Sequence, residues 1–376
     1  MRVLILADRP FAAHERDMLT RVQVGLIDEG ARVIEALPTD VADPDANPLI
    51  PTIAYSDQTA ILASRARTRR ILRGLQAIDP PLAPPDNPAM LVDVIHVFGA
   101  AAWPVAVSVA SVTGASVAAE CSRDADIRHM RALEKTASTG DLTATGVWIA
   151  ANAQLGKTIE SVNPAWPVVV AAWGTHTQDR PPRVPRSTTP MSISIIATGD
   201  EPASINGLLV ALSTCPHLPE DAMIFADATA FERHPALWRR ARDLGLLARM
   251  SLIDRMEARR DLVLQTDILV VPEATGQTRS IILDAMASEM AILARADPQV
   301  EATSAPGVAV LAPAGTVDAW SDALTRLLAN ADHRARMGRA ARAFVVANRP
   351  VYKQIEAILG AYALVRHEPV LKFPEQ

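Results

Sequence analysis

The sequence predicts an α/β fold of two doubly wound domains, and three observations carry that expectation. Short apolar runs alternate with segments of helical spacing along both halves of the chain, the pattern of parallel strands covered on both faces. Residues Arg180 to Pro190, RPPRVPRSTTP, place four prolines and three arginines in eleven positions, which neither pair in a sheet nor continue a helix. Residues Thr266 to Ala294 read as a buried strand, a glycine-containing turn and the start of a helix.

In the first half, Val3 to Ala7 is the first strand. Met18 to Glu29, with Leu19, Val22, Leu26 and Ile27 near helical spacing, is a helix closed by Gly30, and Ala31 to Leu37 is the next strand. Pro80 to Pro88 is a proline-rich loop. Asp93 to Gly99, Ser116 to Ala119, Val147 to Ala151 and Val168 to Val170 complete the strands expected before the linker. After it come a strand Ser192 to Thr198 ending at Gly199, a helix around Leu208 to Leu212, a strand Ala222 to Ala226 and a helix Trp238 to Leu244 stopped by Gly245. Ile268 to Val271 and its helix, running on through Met290, follow. Val308 to Leu311 is a late strand, Val317 to Leu328 a helix, and Val351 to Val365 a terminal helix with no strand after it.

The bulk numbers exclude several classes. With 376 residues the chain is long for one core. Its 37 basic and 42 acidic side chains give no global attraction to nucleic acid. The two cysteines, Cys121 and Cys215, form neither a disulfide framework nor a zinc motif, so no metal site is expected and a reducing cytoplasm fits. The apolar run near the amino terminus is too short for a signal-peptide core. Val97 to Ala119 carries no charge over 23 residues. It is rich in small residues and contains Pro104 and Gly114, so it reads as a turn, a small-residue helix and a strand instead of a membrane span. Arg65, Arg69 and Arg73 recur every four residues beside Ile61, Leu62, Ile71, Leu72 and Leu75, giving a helix with a cationic stripe. Such a stripe is either a solvated face or a surface for anionic lipid at the inner membrane face.

The chemistry concentrates after Val271. Pro272 stops the strand, and Ser280 is a candidate N-cap, so Glu273 to Arg279 lies at a strand's carboxyl end and a helix's amino end. Unpaired backbone N–H groups and the helix dipole favour an anion there, and Arg279 adds a forked donor. An ordinary strand-to-helix connection is the plainer reading. His96 is expected to be a satisfied residue on a strand's inner face.

Asp284-Ala285-Met286-Ala287, behind a strand ending in proline, resembles the donor-binding signature of retaining, family-4-type glycosyltransferases of the GT-B fold, in which two acids stand eight positions apart before Ala-Met-Ala. Here Gly276 occupies the first acid's place, and Gln277-Thr278-Arg279 replaces the family's Gly-Phe-Gly. Asp93 to Gly99 (DVIHVFG), the run from Val168 to Gly174 and Arg334 to Arg342 (RARMGRAAR) also resemble family segments. The resemblance implies two Rossmann-like doubly wound domains facing a cleft. These are an acceptor-side domain over 1–179, the linker 180–190, a nucleotide-sugar domain over 191–348 and a helix over 349–376 crossing back to the first domain.

The resemblance further implies a hexosyltransferase-type enzyme that moves a sugar from a nucleotide donor to an acceptor with retention, without metal or other cofactor. Glu15, Gly199, Gly276, Thr278, Arg279, Ser280 and Asp284 would surround the donor, and Glu120 or Cys121, where the family usually offers a histidine, would face the reacting carbon. Two departures bear on this. Asp200 and Asn206 stand where the family has an arginine and a lysine, so a carboxylate would oppose a diphosphate, and the loop Pro10 to Glu15 lacks the family's glycines. The alternative is a catalytically silent GT-B scaffold that binds a partner protein or a sugar ligand.

Overall fold

The computed structural model describes residues 1–43, 49–56, 63–78, 91–138, 144–177, 190–254 and 259–366. The chain forms two compact units, Met1–Trp173 with Val351–Gln376, and Gly174–Pro350. The linker expected over 180–190 and the proline-rich loop lie almost wholly outside the described residues.

The first unit is built on a seven-stranded parallel sheet. Its strands are β1 (Arg2–Ala7), β2 (Arg32–Pro38), β3 (Thr52–Tyr55), β4 (Val94–Phe98), β5 (Ser116–Cys121), β6 (Gly146–Ala150) and β7 (Val168–Val170), in the order β3-β2-β1-β4-β5-β6-β7. The central strands are buried along nearly their whole length, which is why they read as unbroken apolar runs in the sequence. The expected loop over 10–15 is instead mostly a helix, Arg9–His14. The Asp8 carboxylate accepts from the Phe11 N–H at 2.9 Å, and Pro10 falls in the first turn, where its missing N–H is not needed.

The terminal helix Val351–Arg366 packs into the first unit. Ile355 leaves no room for a side chain at Gly25, where an added Cβ would stand 2.5 Å from it. The Tyr362 hydroxyl meets His96 Nδ1 at 2.7 Å, and the Val365 carbonyl accepts from Ser116 Oγ.

The second unit carries a six-stranded parallel sheet of β8 (Ser192–Ile195), β9 (Met223–Asp227), β10 (Met250–Ile253), β11 (Ile268–Val271), β12 (Ala291–Arg295) and β13 (Val310–Ala312), in the order β10-β9-β8-β11-β12-β13. Ile193, Ile224, Ile268, Val270 and Leu293 from the strands meet Leu208, Leu212, Trp320 and Leu324 from the helices in one core. Each large side chain so buried contributes about 1.5–3 kcal/mol.

The helix after β11 ends earlier than its apolar pattern suggests. It spans Ser280–Ala287 and closes with Glu289 in the left-handed region at φ 56°. The Glu289 N–H donates to the Met286 carbonyl and the Met290 N–H to the Ala285 carbonyl, a Schellman closure that releases the chain into β12.

Candidate functional site

Strand order reverses between β8 and β11, because the chain leaves β8 toward β9 on one side and β11 toward β12 on the other. Crevices beyond the carboxyl ends of strands at such a reversal are the usual ligand sites of open α/β sheets. Two loops meet there, 196–201 and 272–279, and each turns on a glycine of positive φ, Gly199 at 86° and Gly276 at 67°. The helices Pro202–Thr214 and Ser280–Ala287 begin at the two loops.

Carboxylates of the chain lace these loops together. Glu273, buried, accepts from the Thr198 N–H at 2.6 Å, the Thr198 hydroxyl at 3.1 Å and the Glu201 N–H at 3.0 Å. Glu201 returns the favour by accepting from the Ala274 N–H at 2.9 Å, and Asp297 accepts from the N–H groups of Gly276 at 2.7 Å and Gln299 at 3.0 Å. The sequence suggests unpaired N–H groups in the loop Glu273 to Arg279, but the amides of Ala274 and Gly276 within it are paired. Exposed amides at a helix start attract negative charge, and here side chains distant in sequence supply it.

Asp284 is fully buried. Its carboxylate is gripped by Arg260 through Nη1 and accepts from the Thr175 hydroxyl at 2.5 Å. Arg260 also donates through Nη2 to Ser280 Oγ at 2.6 Å. Ser280 is therefore the first residue of its helix with its hydroxyl turned to Arg260, and it is not the N-cap that the sequence suggested. Thr278 and Arg279 are buried beside it. Arg260, a central member of this group, gives no signal in the sequence, since a lone arginine in a short loop-borne helix has no periodicity to mark it.

The carboxylate that the resemblance sets against a diphosphate is itself paired. Asp200 pairs with Arg233 Nη1 at 2.8 Å and accepts from the Thr198 hydroxyl, and Glu201 pairs with Arg295 at 3.2 Å. Asn206 lies half-buried within its helix. Guanidinium groups from other elements, Arg233 and Arg295, therefore reach the turn where the resemblance implies an arginine and a lysine.

The remaining candidates lie in the first unit. Glu15 is buried between the helices Arg9–His14 and Arg16–Asp28. Glu120 and Cys121 fall inside β5, not after it. Glu120 Oε1 accepts from Trp173 Nε1 at 2.6 Å, and its Oε2 meets His96 Nε2 at 3.2 Å. Both ring nitrogens of His96 thus have a buried partner, the Tyr362 hydroxyl at Nδ1 and Glu120 at Nε2, so His96 is the satisfied inner-face residue the sequence suggests. Burial, reinforced by the charges of Asp126 and Glu120, raises the Cys121 thiol well above its ordinary pKa, which keeps it protonated and poorly nucleophilic. Arg65, Arg69 and Arg73 are exposed on the helix Ala63–Ile78.

Among the described residues, no group of three His, Cys, Asp or Glu side chains is placed to hold a metal, and no helix is long and apolar enough to cross a membrane.

Comparison with known proteins bears on this architecture. Residues 235–344 match the family described as Glycosyl transferases group 1, a span that includes β10, β11, the turn at Gly276 and the helix at Asp284. A comparison with curated proteins finds no match. Among solved structures, the sucrose-phosphate synthase tll1590 of Thermosynechococcus elongatus superposes with a TM-score of 0.73 at 13% identity, covering 97% of this chain and 99% of that one. Anabaena Alr3699/HepE in complex with UDP and glucose gives 0.71 at 13% identity over 96% and 98%. A glycosyltransferase from Rickettsia africae gives 0.64 at 14% identity over 97% and 98%. Similarity at this level shows the fold, the two-sheet α/β architecture of GT-B glycosyltransferases.

Proposed function

We propose that the chain is a glycosyltransferase that takes a sugar from a nucleoside diphosphate donor and passes it to an acceptor with retained configuration and without a metal. The observation that carries this reading is the placement of the Gly276 turn and the Asp284 helix at the reversal point of the second sheet, inside the stretch that matches the group 1 family. The Anabaena neighbour, whose structures hold UDP and UDP-glucose, supports a nucleotide-sugar as the donor class.

The chemistry follows from charge. Departure of a diphosphate places negative charge near the carboxyl ends of β8, β9 and β11, and fixed positive groups there lower the barrier more than mobile solvent can. Arg233, Arg279 and Arg295 all lie at this end of the sheet. In this reading Glu273, Glu201 and Asp297 fix the two loops in place by their backbone contacts, so that little reorganisation remains when the donor arrives.

A thermal-shift panel of UDP, GDP and ADP tests it. At a concentration near 100 times Kd, a ligand selective for the folded state adds about 2.7 kcal/mol, which for a unit of this size raises Tm by roughly 5–10 °C. A sugar donor built on the nucleotide that responds is then expected to be turned over at the same rate in EDTA, with its anomeric configuration retained by NMR. Silence toward all three nucleotides would remove the catalytic reading and leave the binding scaffold.

The arginine stripe on Ala63–Ile78 is proposed to rest on anionic lipid. Five arginines and no acidic residue occupy that helix in a chain of net charge −5. Co-sedimentation with phosphatidylglycerol vesicles but not with phosphatidylcholine vesicles is the expected result, weakened by replacing Arg65, Arg69 and Arg73 with glutamine by about 1 kcal/mol per charge. Equal recovery on both vesicle types would make the stripe a solvated face.

A further inference from the structure

Four guanidinium groups gather at the carboxyl end of the second sheet, and three of them are turned inward. Arg260 is held by Asp284 and Ser280, Arg279 is buried, and Arg295 is engaged with Glu201. Arg233 differs, because its side chain is 49% exposed.

We propose that Arg233 is the residue that binds the donor diphosphate, an inference that rests on the donor reading above. Both of its contacts fall on Nη1, which donates to the Thr198 carbonyl at 2.7 Å and to Asp200 Oδ1 at 2.8 Å. Nε and Nη2 therefore keep their donors uncommitted among the described residues. A planar fork held at one nitrogen and open at the others is suited to two phosphate oxygens in a way that a lysine ammonium is not.

The backbone explains how Arg233 arrives there. Gly199 has φ 86°, and a Cβ on it would lie 3.2 Å from the Ala230 Cα and 3.1 Å from the His234 ring. The helix Ala228–Arg233 thus packs directly on the turn after β8, and His234 Nε2 bonds the Gly199 carbonyl at 2.7 Å. Glycine at 199 lets a helix from the neighbouring strand connection deliver the cation that the turn itself, with Asp200, does not provide.

Titration calorimetry with UDP and with uridine, on the wild type, Arg233→Gln and Arg233→Lys, decides the matter. Arg233→Gln is expected to weaken UDP at least tenfold, to leave uridine unchanged and to flatten the salt dependence of UDP binding, with Arg233→Lys in between. The unliganded Tm should stay within about 2 °C of wild type, since an ion pair this exposed adds little to stability. UDP affinity within twofold of wild type would overturn the role of Arg233 while leaving the donor reading in place. Equal weakening of UDP and uridine would also overturn it, making Arg233 a brace for the loop. Where GDP or ADP is the nucleotide that binds, the same titrations are made with it and its nucleoside, and failure of the wild type to bind any of the three would remove the donor reading and this inference together.

Discussion

Asp284→Ala is expected to lower Tm by roughly 6–20 °C, the equivalent of about 3–5 kcal/mol for breaking a buried ion pair by removing one partner. The carboxylate is fully buried and faces Arg260, whose side chain is 8% exposed. Its loss leaves a guanidinium facing a cavity of low dielectric with the Ser280 hydroxyl still in contact. The Thr175 hydroxyl loses its acceptor as well. The double variant Asp284→Leu with Arg260→Leu removes both charges and is expected to recover much of the loss, because two apolar side chains do not carry the desolvation cost of one unpaired ion. Scanning calorimetry of both variants measures this. A single variant that melts within 2 °C of wild type would show that the pair does not hold the helix start. The consequence for enzymology is that loss of activity in Asp284→Ala cannot be assigned to lost donor contact without a melting curve beside it.

Gly338→Ala and Gly360→Ala, the same substitution in two helices, are expected to act in opposite directions. Gly338 lies in Ala331–Asn348, where an added Cβ would overlap the carbonyl oxygen of Glu289 and stand 2.8 Å from its carbonyl carbon. Glu289 is the left-handed residue that closes the Asp284 helix, and its backbone is fixed by the Met286 and Ala285 contacts described above. Arg342, one turn further along, donates to the Ala287 carbonyl at 2.5 Å. Backbone meets backbone here, so neither side yields without moving a helix, and overpacking of about 3 kcal/mol is expected. Gly360 in Val351–Arg366 has nothing within 4 Å of an added Cβ. There alanine removes only the flexibility of glycine and is expected to stabilise by about 0.5–1 kcal/mol. A destabilised Gly360→Ala, or a neutral Gly338→Ala, would contradict the packing described.

Much of the fold was legible because its strands are buried on both faces. Ile268–Val271 and the helix Val317–Leu328 appear where the sequence puts them. The strands it does not reveal fail for identifiable reasons. Thr52–Tyr55 and Met250–Ile253 are four-residue edge strands, partly exposed and mixed with polar residues. Ala291–Arg295 follows its helix so closely that its apolar residues extend the helical pattern. The location of the candidate site was legible from a strand, a glycine turn and a helix start. Its wiring was not, because Glu273 meets Thr198 across 75 positions and Arg295 meets Glu201 across 94. Local sequence can say that a helix start wants negative charge, but which distant carboxylate answers is decided only when the sheet is assembled.

The route of the chain has a consequence for its birth on the ribosome. The second unit is continuous in sequence, whereas the first is completed by Val351–Arg366, which brings Ile355 to Gly25 and Tyr362 to His96. Translation therefore delivers every residue of the later unit before it delivers the piece that finishes the earlier one. The nascent amino-terminal sheet must wait, with the surface meant for that helix uncovered, while its downstream neighbour is free to fold. Arrested chains released just short of residue 351 should for that reason engage chaperones through their first 173 residues.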